Sequence, residues 1–396
     1  MPNRKLKILF VAFPFSLHTA RWISNLEKSN WDIHLFSSIQ GTIPHNNLGT
    51  LTFHEQFYNL PRKNSFAFKP LSYPLLSWFR NLGLNSLFRK MMEVTGIEKN
   101  RSSQLRKLIG RIRPDIIHSL ETQHAGYLVG AAKSNYNGKF PLWIHSNWGI
   151  DLHFFGKLET HLPIIREMLS KVNIFITEGN RDEQLARQFG FSGKVYTFPS
   201  VGGGFMIPKN NFVPPSARKK ILLKGSQDIV RRCLVAMRAL ERCIDVLQDY
   251  EILLYSSNEI TQAAAEIFLY HTGKKIVIIK DVSQAEMLAL NAEARINICV
   301  NKSDGVPNAM LEAMLMGAFP IQSNTSMADE WLVHEKTGIL VPPEDPEIIE
   351  CAIRKALENN KLVDEAAVVN RALIEQKLEY NNIRNSINEM YLDSLN

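Results

Sequence analysis

The sequence predicts an α/β fold built from two doubly wound parallel sheets, and three observations support this prediction. Short apolar segments alternate with amphipathic segments of helical period, as in βαβ units. The alternation stops at a Pro- and Asn-rich stretch, 208–215, and then starts again. A length of 396 residues suits two domains better than one. We therefore expect two Rossmann-like halves joined by a linker.

The N-terminal half is expected to begin with a strand, because the apolar run 5–13 follows basic residues and is interrupted at Pro14. The next segment, 19–29, has apolar residues at helical spacing and predicts a helix. The same criteria predict strands at 31–36, 115–119, 141–145, 174–177 and 194–198, and helices at 162–171 and 181–189.

The C-terminal half repeats this alternation. Strands are predicted at 219–224, 251–256, 275–279 and 294–300, and helices at 233–241, 261–269 and 284–291. A further helix is expected to start beside Pro307, which suits a first turn, and to end at Gly317, which suits a C-cap. The predicted domains are therefore 1–207 and 216–375, and we expect the segment 376–396, with a last helix near 380–395, to pack back on the first domain.

Composition points to a cytoplasmic protein. Hydrophobic residues make up 45% of the chain and charged residues 21%, which is typical of soluble domains. No apolar run approaches the roughly 18 residues that a membrane-spanning helix needs. The four cysteines lie in the C-terminal half without the spacing of a metal or redox motif, so we expect reduced thiols.

Positive charge is concentrated between residues 61 and 113. Twelve basic residues stand there against two acids, an excess greater than the net charge of +7 of the whole chain. Aromatic residues lie between them, a mixture that suits peripheral contact with an anionic membrane or with an anionic acceptor. A solvated basic rim over core aromatics is an equally good interpretation. Nucleic acid is not predicted, because no recognised binding motif accompanies the charge.

The segment 303–312 is the strongest candidate for a functional site. Asp304 and Glu312 are separated by a turn of small residues and by the first turn of the helix that starts beside Pro307. Amide groups at a helix start can hold a phosphate oxygen, and a carboxylate one turn further on can accept hydrogen bonds from a ribose diol. This pattern predicts a nucleotide site. The competing interpretation is a solvated loop acid and an exposed helix residue.

From Ser303 to Pro346 the chain resembles the retaining GT-B glycosyltransferases of family 4. Their signature places an acid, seven residues and then Glu, and Asp304 stands here where the first acid is usually Glu. The resemblance continues through 317–321 and 336–343. It implies two Rossmann-like domains facing each other across a cleft. It also implies metal-independent transfer of a hexose, with retention, from a nucleotide-diphosphate donor to a saccharide or lipid-linked acceptor in cell-surface polysaccharide or glycan synthesis.

The resemblance also implies which residues form the donor site. A departing diphosphate needs fixed cations, and Lys224 with Arg231 or Arg232 is expected to supply them, although the sequence does not say which arginine points inward. The start of the predicted helix contributes Gly305, Val306, Pro307, Asn308 and Glu312, and the backbone at Val282 is expected to meet the base. No metal and no cofactor beyond the donor substrate are predicted.

Acceptor-side residues follow the strands of the first half. His18 and Arg21 come after the first strand, Asp151 follows the strand 141–145, and Gly202 with Gly203 allows a tight turn. The catalytic candidates are Asp304, Asp151 and His18. His145 and Trp22 are expected to be core residues.

Two other functions remain compatible with the sequence. A GT-B-fold nucleotide-sugar epimerase shares the architecture, but it is expected to carry more His and acidic residues around the sugar. A non-catalytic nucleotide-sugar binding protein is compatible with Asp304 in place of Glu and with the absence of a Gly-rich loop after the first strand.

Overall fold

The computed structural model describes residues 5–27, 29–39, 44–55, 67–70, 101–209, 213–280 and 282–395. The chain divides into two compact units. Unit 1 comprises Met1–Gly203 together with Ile383–Asn396, and unit 2 comprises Gly204–Asn382. Each unit contains one parallel sheet with helices, as the sequence predicts.

The described part of unit 1 contains an eight-stranded sheet of order β4-β3-β2-β1-β5-β6-β7-β8, in which all neighbours are parallel. The strands are β1 Leu6–Ala12, β2 Trp31–Ser37, β3 Thr52–Glu55, β4 Ala67–Pro70, β5 Ile116–Leu120, β6 Leu142–Ser146, β7 Ile174–Thr177 and β8 Lys194–Thr197. The α-helices are α1 Leu17–Ser24, α2 Arg101–Ile112, α3 Tyr127–Ser134, α4 Leu162–Leu169 and α5 Asn180–Gln188. The central strand β1 is buried at residues 8–12, which explains its continuous apolar run there.

Unit 2 contains a six-stranded sheet of order β11-β10-β9-β12-β13-β14, again with parallel neighbours. The strands are β9 Lys220–Lys224, β10 Glu251–Tyr255, β11 Ile276–Ile279, β12 Ala294–Cys299, β13 Phe319–Ser323 and β14 Ile339–Val341. The helices are α6 Cys233–Arg242, α7 Glu259–Thr272, α8 Gln284–Glu293, α9 Asn308–Met316, α10 Pro346–Glu358 and α11 Asn360–Leu378. The last helix of the chain, α12, spans Tyr380–Asp393 and enters unit 1 at Ile383.

Within unit 1, the end of α12 is fixed by a buried polar network. The indole Nε1 of Trp22 donates a hydrogen bond of 2.7 Å to the hydroxyl of Tyr391, which also bonds to His118 Nδ1. His118 Nε2 in turn lies 2.8 Å from Ser146 Oγ. All three rings are fully buried, so the expected packing role of Trp22 is confirmed.

Two helices have different bounds from those that the sequence predicts. The predicted helix 261–269 is longer than expected, because Asn258 and Thr261 form a capping box before α7 and Gly273 (φ 69°) ends it. The predicted helix 19–29 is shorter and ends at Ser24. Sequence reasoning missed several elements, namely β3, β4, β13, β14, α2, α3, α10 and α11.

The basic segment 61–113 is only partly described. Residues 61–66 and 71–100 lie outside the described residues, so the predicted membrane contact there stays a prediction. In α2, Leu105, Leu108 and Ile109 are buried, and the guanidinium of Arg101 lies 4.6 Å from the ring centroid of Phe36. None of the described helices has both the length and the apolar character needed to cross a membrane.

Gly202 occupies a position that only glycine fits. Its φ is +69°, and a Cβ there would lie 2.5 Å from ring atoms of Trp22 and 3.0 Å from Ile387. The Gly202 carbonyl also accepts a 3.1 Å hydrogen bond from the side chain of Asn25. The tight turn is therefore required by packing against the helices of unit 1.

We expect Gly202→Ala to lower the free energy of unfolding by about 2 to 4 kcal/mol, because the change combines a left-handed alanine with overpacking against Trp22. Urea denaturation measures this loss. Gly138→Ala is the matched control, since Gly138 has φ +101° and no atom within 4 Å of its added Cβ. Its loss is expected to be only about 1 to 2 kcal/mol, from the backbone alone. Equal losses in the two variants would contradict the packing argument.

Candidate active site

The order of strands locates a ligand site in unit 2. From β9 the chain moves outward to β10 and β11, and then returns to place β12 on the other side of β9. Ligands of open α/β sheets bind at such a switch point, beyond the carboxyl ends of the strands. Lys224 ends β9, and Cys299 ends β12 with Asp304 shortly after it. Two of the predicted donor-site residues, Lys224 and Asp304, therefore lie at the same edge of this sheet.

Asp304 is held in one orientation. One carboxylate oxygen accepts a 2.8 Å hydrogen bond from the side-chain amide of Asn301, and the other accepts a 2.9 Å bond from the backbone N–H of Gly305. The carbonyl of Gly305 accepts a hydrogen bond of 3.0 Å from Met327 N. These bonds fix the loop between β12 and α9 and hold the half-buried carboxylate of Asp304 in place.

The helix α9 follows this loop as predicted. Pro307 is its extended N-cap residue, the helix begins at Asn308, and Gly317 ends it with φ 83°. The four residues expected on the buried face are at most 1% exposed: Met310, Leu311, Met314 and Leu315. The opposite face is buried too, so that Glu312 is only 7% exposed. The interpretation of Glu312 as an exposed surface residue is therefore wrong.

Lys224 supplies positive charge beneath α9. The pKa of the Lys224 amine lies above its usual value. The largest cause is the negative charge that Cys299 can carry, and the charges of Asp304 and Glu312 add to it. Burial and the charge of Arg231 oppose this effect. Lys224 is therefore an ammonium at neutral pH, close to both predicted carboxylates. The sequence argument placed these three residues in one site, and the structure brings them together.

Cys299 was not predicted to belong to this site. Its side chain is 2% exposed, and the Asn301 amide lies 3.6 Å from its sulfur. Burial raises the pKa of the thiol despite the nearby Lys224 charge, so Cys299 is neutral at pH 7. A buried tyrosine, Tyr255, ends the neighbouring strand as the register partner of Lys224. Sequence reasoning could have found both residues, since each stands at the carboxyl end of a predicted strand.

The two arginines have different surroundings. Arg232 donates from Nε to a Glu344 oxygen at 2.8 Å, and its Nη1 bonds to the Asp228 carbonyl. The guanidinium of Arg231 pairs with the carboxylate of Asp228, and its charge acts on the pKa of Lys224. Of the two arginines that the sequence left open, Arg231 is therefore the one whose charge acts on Lys224. Its contact with the donor stays a prediction.

The remaining donor-side predictions concern backbone positions. Val306 is 2% exposed and lies in the loop before α9. Val282 is half-buried and packs against an apolar cluster beneath the sheet, which includes Leu222 and Met287. Its neighbour Asp281 lies outside the described residues. Contact between the Val282 backbone and the base of a donor nucleotide stays a prediction.

In unit 1, His18 and Arg21 lie on α1. Ser16 is the N-cap residue, and its hydroxyl accepts a hydrogen bond of 3.2 Å from His18 N. The His18 ring meets Trp148 edge-on, with centroids 5.4 Å apart. The charge of Arg21 adds to burial in lowering the pKa of His45. A Cβ on Gly203 would lie 3.5 Å from Arg21 Cδ, so Gly203 borders the same region.

Asp151 follows β6, as predicted, and its carboxylate is buried. The side chain is 1% exposed, and one of its oxygens accepts backbone N–H groups of Thr122 (2.9 Å) and Trp148 (2.8 Å). Burial, followed by the charge of Glu121, raises the pKa of Asp151 well above its usual value. Asp151 therefore joins the loops after β5 and β6. The direct sugar contact and the catalytic role of Asp151 stay predictions.

His145 is a core residue, as predicted. Its two ring nitrogens lie 2.8 Å from Ser119 Oγ and 3.0 Å from Thr122 Oγ1. Burial lowers the pKa of His145 to about 3, so the ring is neutral at physiological pH. The hydroxyl of Ser119 also accepts a 2.8 Å hydrogen bond from Trp143 Nε1. These bonds leave no ring nitrogen of His145 available to a ligand.

Comparisons with known proteins agree with this architecture. Residues 218–359 match the family model described as glycosyl transferases group 1, and residues 7–91 and 85–179 match the model described as glycosyl transferase 4-like. No curated protein sequence matches the chain.

Solved structures match nearly the whole chain at low sequence identity. Sucrose-phosphate synthase from Thermosynechococcus elongatus is similar with a TM-score of 0.71 and 14% identity, over 98% of this chain and 99% of that one. Anabaena Alr3699/HepE, solved with UDP-glucose, has a TM-score of 0.71 and 12% identity, over 98% and 100%. The lipopolysaccharide outer core galactosyltransferase WaaB has a TM-score of 0.65 and 12% identity, again over 98% and 100%. At this identity the structures show the fold alone, and the two family models add the activity. The chain is a glycosyltransferase with the GT-B fold.

Proposed function

We propose that the protein transfers a hexose, with retention of configuration, from a nucleoside-diphosphate sugar to a saccharide or lipid-linked acceptor. The observation that carries this proposal is the burial of Glu312, one turn into α9, in the same site as Lys224 and Asp304. Placing a carboxylate in the interior is costly, and it persists where charge partners or a ligand compensate for it.

The diphosphate of the donor is assigned to the start of α9. Pro307 provides no side-chain cap for this helix, and its first turn carries no acidic residue that would repel a phosphate. The helix dipole favours an anion at that point. Lys224 and Arg231 add two positive charges at the same edge of the sheet. We infer that these groups stabilise the charge that develops on the leaving diphosphate, without a metal ion.

Glu312 is assigned to the ribose of the donor. An ionised carboxylate only accepts hydrogen bonds, and a vicinal diol offers two donors at matching separation. The side chain lies one helical turn beyond Asn308, which begins α9. A ribose therefore fits beside a diphosphate that occupies the helix start.

Asp304 is assigned to the transferred sugar. Both its oxygens already accept hydrogen bonds from Asn301 and Gly305, which fixes the carboxylate but lowers its nucleophilicity. We therefore favour a route in which Asp304 orients the sugar and the departing phosphate takes the acceptor proton. A double displacement would instead require a carboxylate that attacks the anomeric carbon.

The wider biological setting is also a proposal. HepE was solved with UDP-glucose, and WaaB is named as a lipopolysaccharide galactosyltransferase. These similarities support a nucleotide-sugar donor and a role in cell-surface glycan synthesis. We propose a cytoplasmic location, with contact to the inner face of the membrane through the basic segment 61–113.

Glu312→Gln is expected to weaken binding of the donor nucleotide about 10- to 100-fold, because a hydrogen bond to a charged group contributes roughly 1.5 to 3 kcal/mol. Isothermal titration of the wild type with UDP, GDP, ADP and CDP first identifies the base. Glu293→Gln is the control, since Glu293 lies in unit 2 with its side chain 58% exposed and pairs with Lys220. Unchanged affinity in Glu312→Gln would remove this residue from the donor site.

Arg231→Ala and Arg232→Ala are expected to differ. Loss of Arg231 removes a charge beside Lys224, and we expect the affinity for the nucleoside diphosphate to fall about tenfold. Loss of Arg232 breaks its surface pair with Glu344 and is expected to change affinity less than twofold. The same titration measures both variants. A larger effect in Arg232→Ala would reverse our assignment.

Product analysis separates the alternative functions. With a labelled donor and an acceptor, a retaining transferase gives a product whose anomeric configuration, measured by NMR, equals that of the donor. The activity should persist in the presence of EDTA. An epimerised donor, or binding without turnover across a wide acceptor panel, would identify the other two functions.

A further inference from the structure

Five aromatic side chains of unit 1 form a surface cluster that the assignments above do not use fully. We call the cluster of Phe13, Phe15, His18, His124 and Trp148 the aromatic platform. The Phe13 ring centroid lies 4.9 Å from that of His124, 5.5 Å from Phe15 and 6.0 Å from Trp148. Phe13 thus connects rings from three separate loops.

The platform lies at the switch point of the first sheet. The strand order places β2 on one side of β1 and β5 on the other, with β6 next to β5. Phe13 and Phe15 directly follow β1, His124 follows β5, and Trp148 follows β6. All of them stand beyond the carboxyl ends of parallel strands, where this class of sheet binds ligands.

The rings are kept partly at the surface. Phe15 is 48% exposed, and the side chain of His124 is 52% exposed. Two polar atoms in the same loops are buried, and none of the described residues forms a hydrogen bond with them: Trp148 Nε1 and Asn147 Oδ1. Asn147 itself is only 2% exposed. Exposed rings beside polar groups that lack a protein partner are typical of a ligand site.

Glu121 fixes His124 at the edge of the platform. Its φ of 81° is unusual for a residue with a side chain, and it precedes a π-helical turn, Thr122–Gly126. Its carboxylate accepts N–H groups of Gln123 (2.7 Å), His124 (2.9 Å) and Ala125 (3.2 Å). One of its oxygens also lies 3.2 Å from His124 Nδ1. The strained turn therefore holds the imidazole in one orientation, with Nε2 as its second polar atom.

We propose that the aromatic platform binds one pyranose ring of a saccharide acceptor, an inference that rests on the proposed transferase function. The C–H face of a pyranose packs on Phe13, Phe15 and Trp148, which offer flat apolar surface without a strong charge. His124 bonds to a hydroxyl at the edge of the sugar ring.

The charges favour a neutral sugar ring over a phosphate group at this position. The hydrogen bond with Glu121 raises the pKa of His124, and partial burial opposes this effect. When the imidazole is protonated, its charge is balanced by the Glu121 carboxylate directly behind it. An anionic group would gain little binding free energy from the His124–Glu121 pair, whereas a sugar hydroxyl can donate a hydrogen bond to the imidazole or accept one from it.

Saturation-transfer NMR on the full-length protein tests the proposal. The probes are the methyl pyranosides of glucose, galactose, mannose and N-acetylglucosamine. We expect at least one of them to show saturation of its ring C–H protons with the wild type. Phe15→Ala and His124→Gln should each reduce this signal at least fivefold and raise the acceptor KM at least tenfold. Trp148→Phe, which keeps a ring, should retain most of the signal.

The control is Tyr270→Ala, which removes an aromatic ring that is 87% exposed in unit 2 and should leave the signal and the KM unchanged. Circular dichroism confirms that each variant is folded. Absence of any pyranoside signal with the wild type, or an unchanged acceptor KM in both Phe15→Ala and His124→Gln, would overturn the proposal. Failure of the proposed function has a different signature, namely no binding of any nucleoside diphosphate to the wild type. Nucleotide affinity is therefore measured on every variant.

Discussion

The structure of the candidate site depends on one constraint, which is that a buried carboxylate needs a cation or hydrogen-bond donors close to it. The helix α9 is buried on both faces, so Glu312 lies away from bulk water. The ammonium group of Lys224, at the end of β9, supplies the positive charge near Glu312. The same group also lies near Asp304. The switch in strand order that places β12 beside β9 brings these charges together. Sheet topology and site electrostatics are therefore linked in this unit.

Unit 1 meets the same constraint in a different way. Its buried carboxylates, Glu121 and Asp151, are balanced by backbone N–H groups rather than by a lysine. Amide donors stabilise a carboxylate without bringing a positive charge, so they position loops without building a phosphate site. This difference is consistent with our proposals, which place the donor nucleotide in unit 2 and a largely neutral acceptor in unit 1.

Much of the architecture could be predicted from the sequence, because strands buried on both faces read as apolar runs and capping residues mark the helix ends. The helix from Pro307 to Gly317 is an example, since both of its boundary residues have strong conformational preferences. Short strands such as β14, with three residues, carry too little pattern to be recognised. The strand β4 was missed because Pro70 and the surrounding basic residues hide its apolar character.

Side-chain direction was harder to predict than position. Arg231 and Arg232 are adjacent in sequence, but Arg232 pairs with Glu344, which is distant in sequence, whereas the charge of Arg231 acts on Lys224. Asp151 likewise stands at a strand end, where sequence reasoning expects a ligand contact, but its carboxylate turns to the backbone of a neighbouring loop. A strand-end residue can therefore contact the ligand directly or hold the loop that does. The hydrogen bonds of its neighbours decide between the two roles, and those neighbours come from distant parts of the chain.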